Sequence, residues 1–356
     1  MRVLIYGECE QYGSGAWCYF ETLKEMGHEV SYFSPTSILE QYENSFPLRL
    51  IRKLRKGKVL KKHAADHGRL FLEEAISFKP EIVVVLKGLM IDKWLIKKLK
   101  ANKSWVVLIN HDDFFSEFAY NTSTILLNAV PEYDYVFCTK EVNVGEIKKY
   151  NPNVEMFMFA YYPKIHYPPT SSADDQKQWQ SDIVFVGNSY PLRTKQLEYL
   201  VTHIDQPLDL KIYGPNWSNK ISASSPLRKF LQHKSLGPDE MRLAIYYSKI
   251  SLGFLCKENR DDYTQRTFEI PACKGVLLAE RTIRHSSFYK EDVEAMFFDS
   301  FRFDELVTKT KFLLSNPLKA EATAEEGYKR VTSSLHTYRD RLNRLFQLHS
   351  AWRNSN

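Results

Sequence analysis

Residues 182–195 read DIVFVGNSYPLRTK: an apolar run, a glycine, a few small polar residues, and a proline opening a helix-compatible stretch. β-Branched and aromatic residues without polar alternation describe a strand buried on both faces, and such strands belong to parallel sheets covered by helices. The chain opens in the same way, with RVLIYG at residues 2–7. Working outward, residues 29–35, 81–88, 105–110, 135–139 and 154–160 read as further strands, with helices over 15–27 and around 66–78. Beyond residue 187 the strand pattern returns at 208–214, 250–254, 276–279 and 295–298, with helices near 194–202, 238–248, 267–273 and 303–314. The alternation predicts two doubly wound α/β units in succession, each placing its strand C-termini on one ligand-binding edge.

Between them, residues 161–182 read YYPKIHYPPTSSADDQKQWQSD, proline-rich and polar. The expected organisation is a Rossmann-like domain over 1–165, a linker over 166–181, a second Rossmann-like domain over 182–333, and a terminal helical segment over 334–356. That last segment carries Leu335, Tyr338, Leu342, Leu345, Phe346 and Leu348 and needs a surface to cover, which the first domain is expected to supply. Two such domains facing across a cleft is the architecture expected.

With 356 residues, 44% hydrophobic, 26% charged and 14% aromatic, the composition is that of a globular protein with a substantial core, neither disordered nor disulfide-stapled. No apolar run approaches the roughly 18 residues of a membrane span. The opening MRVLIYGECE places Glu8, Cys9 and Glu10 where a secretory signal would continue its apolar region. The five cysteines form no C-x-x-C pair, which suits a reduced, cytoplasmic protein. The net charge of +6 is concentrated: Arg49, Arg52, Lys53, Arg55, Lys56, Lys58, Lys61 and Lys62 follow one another without an acidic residue. This run reads either as a solvated helix face or as a peripheral contact with anionic membrane at the inner face; nucleic acid is not expected.

Candidate chemistry gathers at strand ends. After the first strand, Gly13, Ser14 and Gly15 lie just before a helix; the spacing departs from the dinucleotide fingerprint, but the loop still offers amides to an acceptor or a phosphate. The fourth strand ends in Asn110, His111, Asp112 and Asp113, where the carboxylates can orient the imidazole and raise its pKa for general-base work, or else cap the next helix. His63 and His67 have the spacing of a zinc half-site, yet no third ligand follows, and a solvated helix face is expected. No D-x-D triplet occurs, so no metal is expected. In the second domain Gly187 and Asn188 form a turn before Arg193 and Lys195, two cations suited to a diphosphate.

Residues 261–278 read DDYTQRTFEIPACKGVLL, a short helix carrying Arg266 and Glu269 that turns through Gly275 into an apolar strand. This segment, the preceding IYYSKISLGF and the later HTYRDRL resemble the CgeB-like (spore maturation protein) family of GT-B glycosyltransferases, well over most of 182–345 and loosely in the first domain. The resemblance implies that Glu269 holds the donor ribose, that Asp261 contacts the transferred sugar, and that Arg266 faces the diphosphate. It also implies that Gly187, Arg193 and Lys195 grip the diphosphate and that His111 stands at the catalytic edge. Lys274 departs from the family's more usual glycine, as a further phosphate contact or an exposed turn residue.

The expected activity is that of a metal-independent, cofactor-free, hexosyltransferase-like enzyme. It would move a sugar from a nucleotide-diphosphate donor to a glycan, lipid-linked or protein acceptor with retention of configuration. A non-catalytic sugar-nucleotide or polyanion binder and a sugar-nucleotide 2-epimerase of the same fold are the rival readings.

Overall fold

A computed structural model of the chain describes residues 1–35, 56–116 and 121–355. They form two units: one comprises Met1–Met158, Glu258–Arg260 and Tyr338–Asn356, the other Phe159–Lys257 and Asp261–Thr337. Arg49, Arg52, Lys53 and Arg55 of the basic run lie outside the described residues, and Lys56, Lys58, Lys61 and Lys62 belong to the first turns of a long helix.

The first unit contains six parallel strands, β1 (Arg2–Tyr6), β2 (Glu29–Phe33), β3 (Ile82–Leu86), β4 (Trp105–Asn110), β5 (Tyr135–Cys138) and β6 (Val154–Met156), in the order β2-β1-β3-β4-β5-β6. Its helices α1 (Gly15–Glu25), α2 (Lys56–Phe78), α3 (Lys93–Ala101), α4 (Thr124–Ala129) and α5 (Glu141–Ile147) make the crossovers. Every residue of β4 is buried, as is all of β3 except its last, which is what their unbroken apolar sequences require. Each Val, Ile or Leu so enclosed contributes about 1.5–3 kcal/mol.

The second unit repeats the plan with β7 (Ser181–Val186), β8 (Leu210–Tyr213), β9 (Ser248–Gly253), β10 (Leu277–Glu280) and β11 (Met296–Phe298), all parallel, in the order β11-β10-β9-β7-β8. The accompanying helices are α6 (Ala173–Trp179), α7 (Pro191–His203), α8 (Trp217–Lys220), α9 (Pro238–Tyr246), α10 (Arg266–Ala272), α11 (Ile283–Phe288), α12 (Phe303–Ser315) and α13 (Pro317–Thr332). In both sheets the strand order reverses beside the first strand, so a crevice opens between β1 and β3 in one and between β7 and β9 in the other.

The structure corrects three expectations. Residues 166–181 are not a simple linker: they contain α6, capped by Ser172, and Trp179 packs on Val184, Tyr213 and Ala244 of the second unit. Helix α13 was not anticipated, because its buried face is built of Ala320, Thr323, Ala324, Gly327 and Val331, too small to register as an apolar stripe. A Cβ on Gly327 would stand 2.5 Å from the Glu294 carbonyl, so glycine is what permits the close approach. The terminal helix α14 (Tyr338–Ser355) belongs to the first unit, with the rings of Phe346 and His28 and of His349 and Trp105 in tilted contact, but Leu335 precedes it and stands 74% exposed.

Candidate donor and catalytic sites

In the second unit, β7 runs into Gly187 and Asn188, and α7 begins four residues later. Its N-cap, Tyr190, makes no side-chain capping bond, and Pro191 opens the helix, so its first amides are left to other acceptors. Gly187 is squeezed from behind: Gly214 (φ +145°) passes so close that a Cβ there would lie 2.2 Å from the Gly187 carbonyl. That carbonyl also accepts a bond from the Trp217 indole at 2.9 Å. The turn is thereby fixed.

Arg193 does not stand out as a free cation. It is 8% exposed and donates from Nε to the Leu255 carbonyl (3.1 Å), from Nη2 to that of Phe254 (3.0 Å) and from Nη1 to that of Asn188 (3.2 Å). It ties the loop after β7 to the loop after β9, the two walls of the crevice. The expectation that it directly neutralises a diphosphate is corrected accordingly: a buried guanidinium is retained where backbone acceptors surround it. Lys195, two positions on, is exposed.

Across the crevice, Glu269 on α10 is buried at 2% exposure and paired with Arg266 one turn earlier. His166 meets its other oxygen, with Nε2 3.3 Å from Oε1. Burial alone would push this carboxyl up, but Arg266 and His166 outweigh it and bring the pKa down to about 2. Arg266 also donates to the Val186 carbonyl at the end of β7 (3.4 Å), which brings the pair beside the Gly187 turn. Asp261 accepts from the Cys256 amide at 3.1 Å, closing the loop after β9. Lys274 adopts φ +60° and pairs with Glu325 on α13 at 2.8 Å, so its ammonium is engaged at a half-buried turn. A cavity of about 260 Å³ opens beyond β8, lined by Gly214, Pro215, Asn216, Trp217, His233 and Lys234 among others.

In the first unit, Ser14 caps α1 by accepting from the Trp17 amide, while Gly13 takes φ +74°. Gly15 brings this loop to the end of β4, since a Cβ there would lie 3.9 Å from His111 Cε1. The Gly13–Gly15 loop and the end of β4 are thus neighbours. The pKa expectation for His111 is overturned: burial pushes it down to about 4, and Asp112 only partly opposes the shift, with Lys140 and Lys87 adding to it. At neutral pH the imidazole is uncharged and a weak base.

Asp112 pairs with Lys87 at 2.8 Å. Asp113 is 1% exposed and gripped at both oxygens by Arg260 (2.6 Å each), with Asn143 adding a bond at 2.8 Å; Arg260 also forks onto Glu146. The burial that would raise the Asp113 pKa is outweighed by Arg260, Asn143 and the Phe115 amide. Its assignment to catalysis is corrected: it is a structural anchor, and Asp112 is the carboxylate left beside the imidazole.

His67 departs from the solvated face expected of it. It is 1% exposed, shares a 2.7 Å hydrogen bond with the Tyr6 hydroxyl, and is pushed down to about 4 by burial. Among the described residues no group of three or more His, Cys, Asp or Glu is arranged to hold a metal ion. Sequence reasoning missed His166, hidden among prolines, as well as Lys87, Lys140 and Arg260. Lys87 carried a usable signal, because it directly follows the apolar run of β3 at the strand's C-terminal end.

Residues 193–347 match a protein family described as Glycosyl transferase-like. No curated protein sequence matches the chain. Among solved structures, sucrose-phosphate synthase from Thermosynechococcus elongatus is similar over 100% of both chains, with a TM-score of 0.72 and 12% identity. A glycosyltransferase from Rickettsia africae ESF-5 covers 98% of each chain at a TM-score of 0.67 and 11% identity. HepE of Anabaena, solved in complex with UDP-glucose, is similar over 99% of this chain and 100% of its own, with a TM-score of 0.66 and 10% identity. These likenesses show the fold: two parallel-sheet α/β domains of the GT-B type. Together with the family match they support a glycosyltransferase.

Proposed function

We propose that the protein is a glycosyltransferase of the CgeB-like group, which binds a nucleoside-diphosphate sugar on the second unit and transfers the sugar with retention, without a metal ion. One observation carries this reading. At the strand-order reversal of the second sheet, the uncapped start of α7, the fixed Gly187 turn and the ionised Glu269 with its Arg266 partner come together.

Helix N-terminal amides favour a diphosphate, and a carboxylate held charged is a strong acceptor for ribose hydroxyls. Lys195 and Arg266 supply the positive charge that a leaving diphosphate needs, and Arg193 acts behind them by holding Asn188 in place. The cavity beyond β8 offers room for a nucleobase. UDP-glucose bound to HepE is consistent with such a donor on this fold. The end of β4, where neutral His111 adjoins Asp112, is assigned to a glycan, lipid-linked or protein acceptor. There His111 orients a hydroxyl and Asp112 with Lys87 sets the local charge.

Thermal unfolding against UDP-, GDP-, dTDP- and CMP-sugars tests this. A true donor at a hundredfold its dissociation constant stabilises by about 2.7 kcal/mol. Stabilisation by one nucleotide class, followed by its slow consumption when glycan acceptors are added, is the expected result. No response to any nucleotide sugar would reject the reading, and conversion of the donor to its epimer without acceptor would replace it with the epimerase.

A further inference from the structure

His166 lies in the segment that the sequence marks only as a break between domains, yet its ring is almost fully enclosed against the most perturbed carboxylate of the second unit. The local chain explains how it gets there. Pro163 follows Tyr162 and presets a helical turn, in which the amides of Ile165 and His166 both donate to the Tyr162 carbonyl, at 3.0 and 2.8 Å. The turn carries the imidazole back over its own start, where Nδ1 accepts the Tyr162 amide at 3.0 Å.

That bond settles the tautomer. A nitrogen that accepts an N–H carries no proton, so the ring proton sits on Nε2, which faces Glu269 Oε1 at 3.3 Å. Arg266 holds the other oxygen. The carboxylate is anchored once on each oxygen, and each retains a second lone pair for a ligand. Arg266 balances the buried charge, and the imidazole on the other oxygen adds direction.

We propose that His166 is a positioning residue for Glu269: with Arg266 it locks the carboxylate in the orientation that receives the ribose of a nucleoside diphosphate. This rests on the reading of the second unit as a nucleotide site. A carboxylate anchored at one oxygen only would swing about its last torsion and lose part of each ribose bond to ordering.

The discriminating quantity is the ratio of affinities for a ribonucleotide and its 2′-deoxy form, because a role confined to packing changes both alike. Affinities of UDP, GDP, ADP and CDP and of their 2′-deoxy counterparts would be measured by calorimetry for the parent, Glu269→Gln, His166→Gln and His166→Phe. The parent should prefer the ribo form roughly 10- to 100-fold, the range expected for a hydrogen bond to a charged group. His166→Phe should bring that preference to within about threefold, as Glu269→Gln does, while His166→Gln, whose amide can still donate, retains most of it. Should His166→Phe not fold, His166→Asn, which is too short to reach Glu269, is read in its place. A preference lost in Glu269→Gln but intact in His166→Phe or His166→Asn overturns the positioning role alone. A parent that binds none of the four overturns the nucleotide reading and this inference with it, whereas a preference that survives Glu269→Gln leaves nucleotide binding standing and overturns the ribose role of Glu269 together with that of His166.

Discussion

Arg193→Met tests whether this arginine is a strut or a ligand-facing cation. Methionine keeps the stem and removes the guanidinium, so the carbonyls of Leu255, Phe254 and Asn188 each lose a donor. Hydrogen bonds from charged donors contribute about 1.5–3 kcal/mol each. The lower end applies, since a carbonyl keeps a second lone pair and the Asn188 bond is only partly buried. The cation–π contact with Tyr190, 4.8 Å from the ring centroid, is also lost, whereas the desolvation cost of a buried charge disappears. The balance is a destabilisation of about 2–4 kcal/mol. For a domain of about 150–250 residues, each kcal/mol moves the melting temperature by about 2–4 °C, so the variant should melt roughly 4–16 °C below the parent. Lys195→Met is the control: an exposed side chain should stay within about 0.5 kcal/mol in stability while weakening nucleotide binding. Differential scanning calorimetry without ligand gives the answer. An Arg193→Met protein melting within about 2 °C of the parent would refute the strut argument.

Two further expectations follow from the same geometry and a third from the sequence. His67, His111 and His285 each have a folded-state pKa pushed down to about 4 by burial, below the unfolded value, so the unfolded chain takes up protons first. Stability should be complete above about pH 6.5 and fall as the pH drops toward about 4; denaturant titrations showing no loss over that window would contradict the burial of these rings. Gly214→Ala forces a Cβ toward the Gly187 carbonyl at a φ of +145°, and should cost more than about 3 kcal/mol and abolish nucleotide binding; a parent-like melting curve would count against the fixed turn. If the basic run docks on anionic lipid, replacing Arg52, Lys53, Arg55 and Lys56 with Gln should remove salt-sensitive co-sedimentation with anionic liposomes, at about 1 kcal/mol per cation. Equal sedimentation of parent and variant, or none by the parent, would reject that contact.

The α/β class was legible because strands such as β3 and β4 are apolar on both faces, and only a sheet covered by helices on both sides accepts them. The placement of the candidate residues was legible in outline, since Gly187, Glu269 and His111 stand at strand ends or on the helices beside them, and the topology sends all such ends to one edge. Helix α13 was not legible, because close packing through Ala and Gly leaves no hydrophobic periodicity to detect.

Sequence alone determined which residues reach the C-terminal edge of each sheet, since strand pattern and handed crossovers act through neighbours along the chain. Only the tertiary structure decided what each charged group does there. Arg193 and Asp113 turn inward because their partners, Leu255 and Arg260, arrive from distant segments, and His111 loses basicity because elements remote in sequence exclude water from it. Burial and long-range pairing set the protonation and availability of a side chain, and neither is a property of the local sequence.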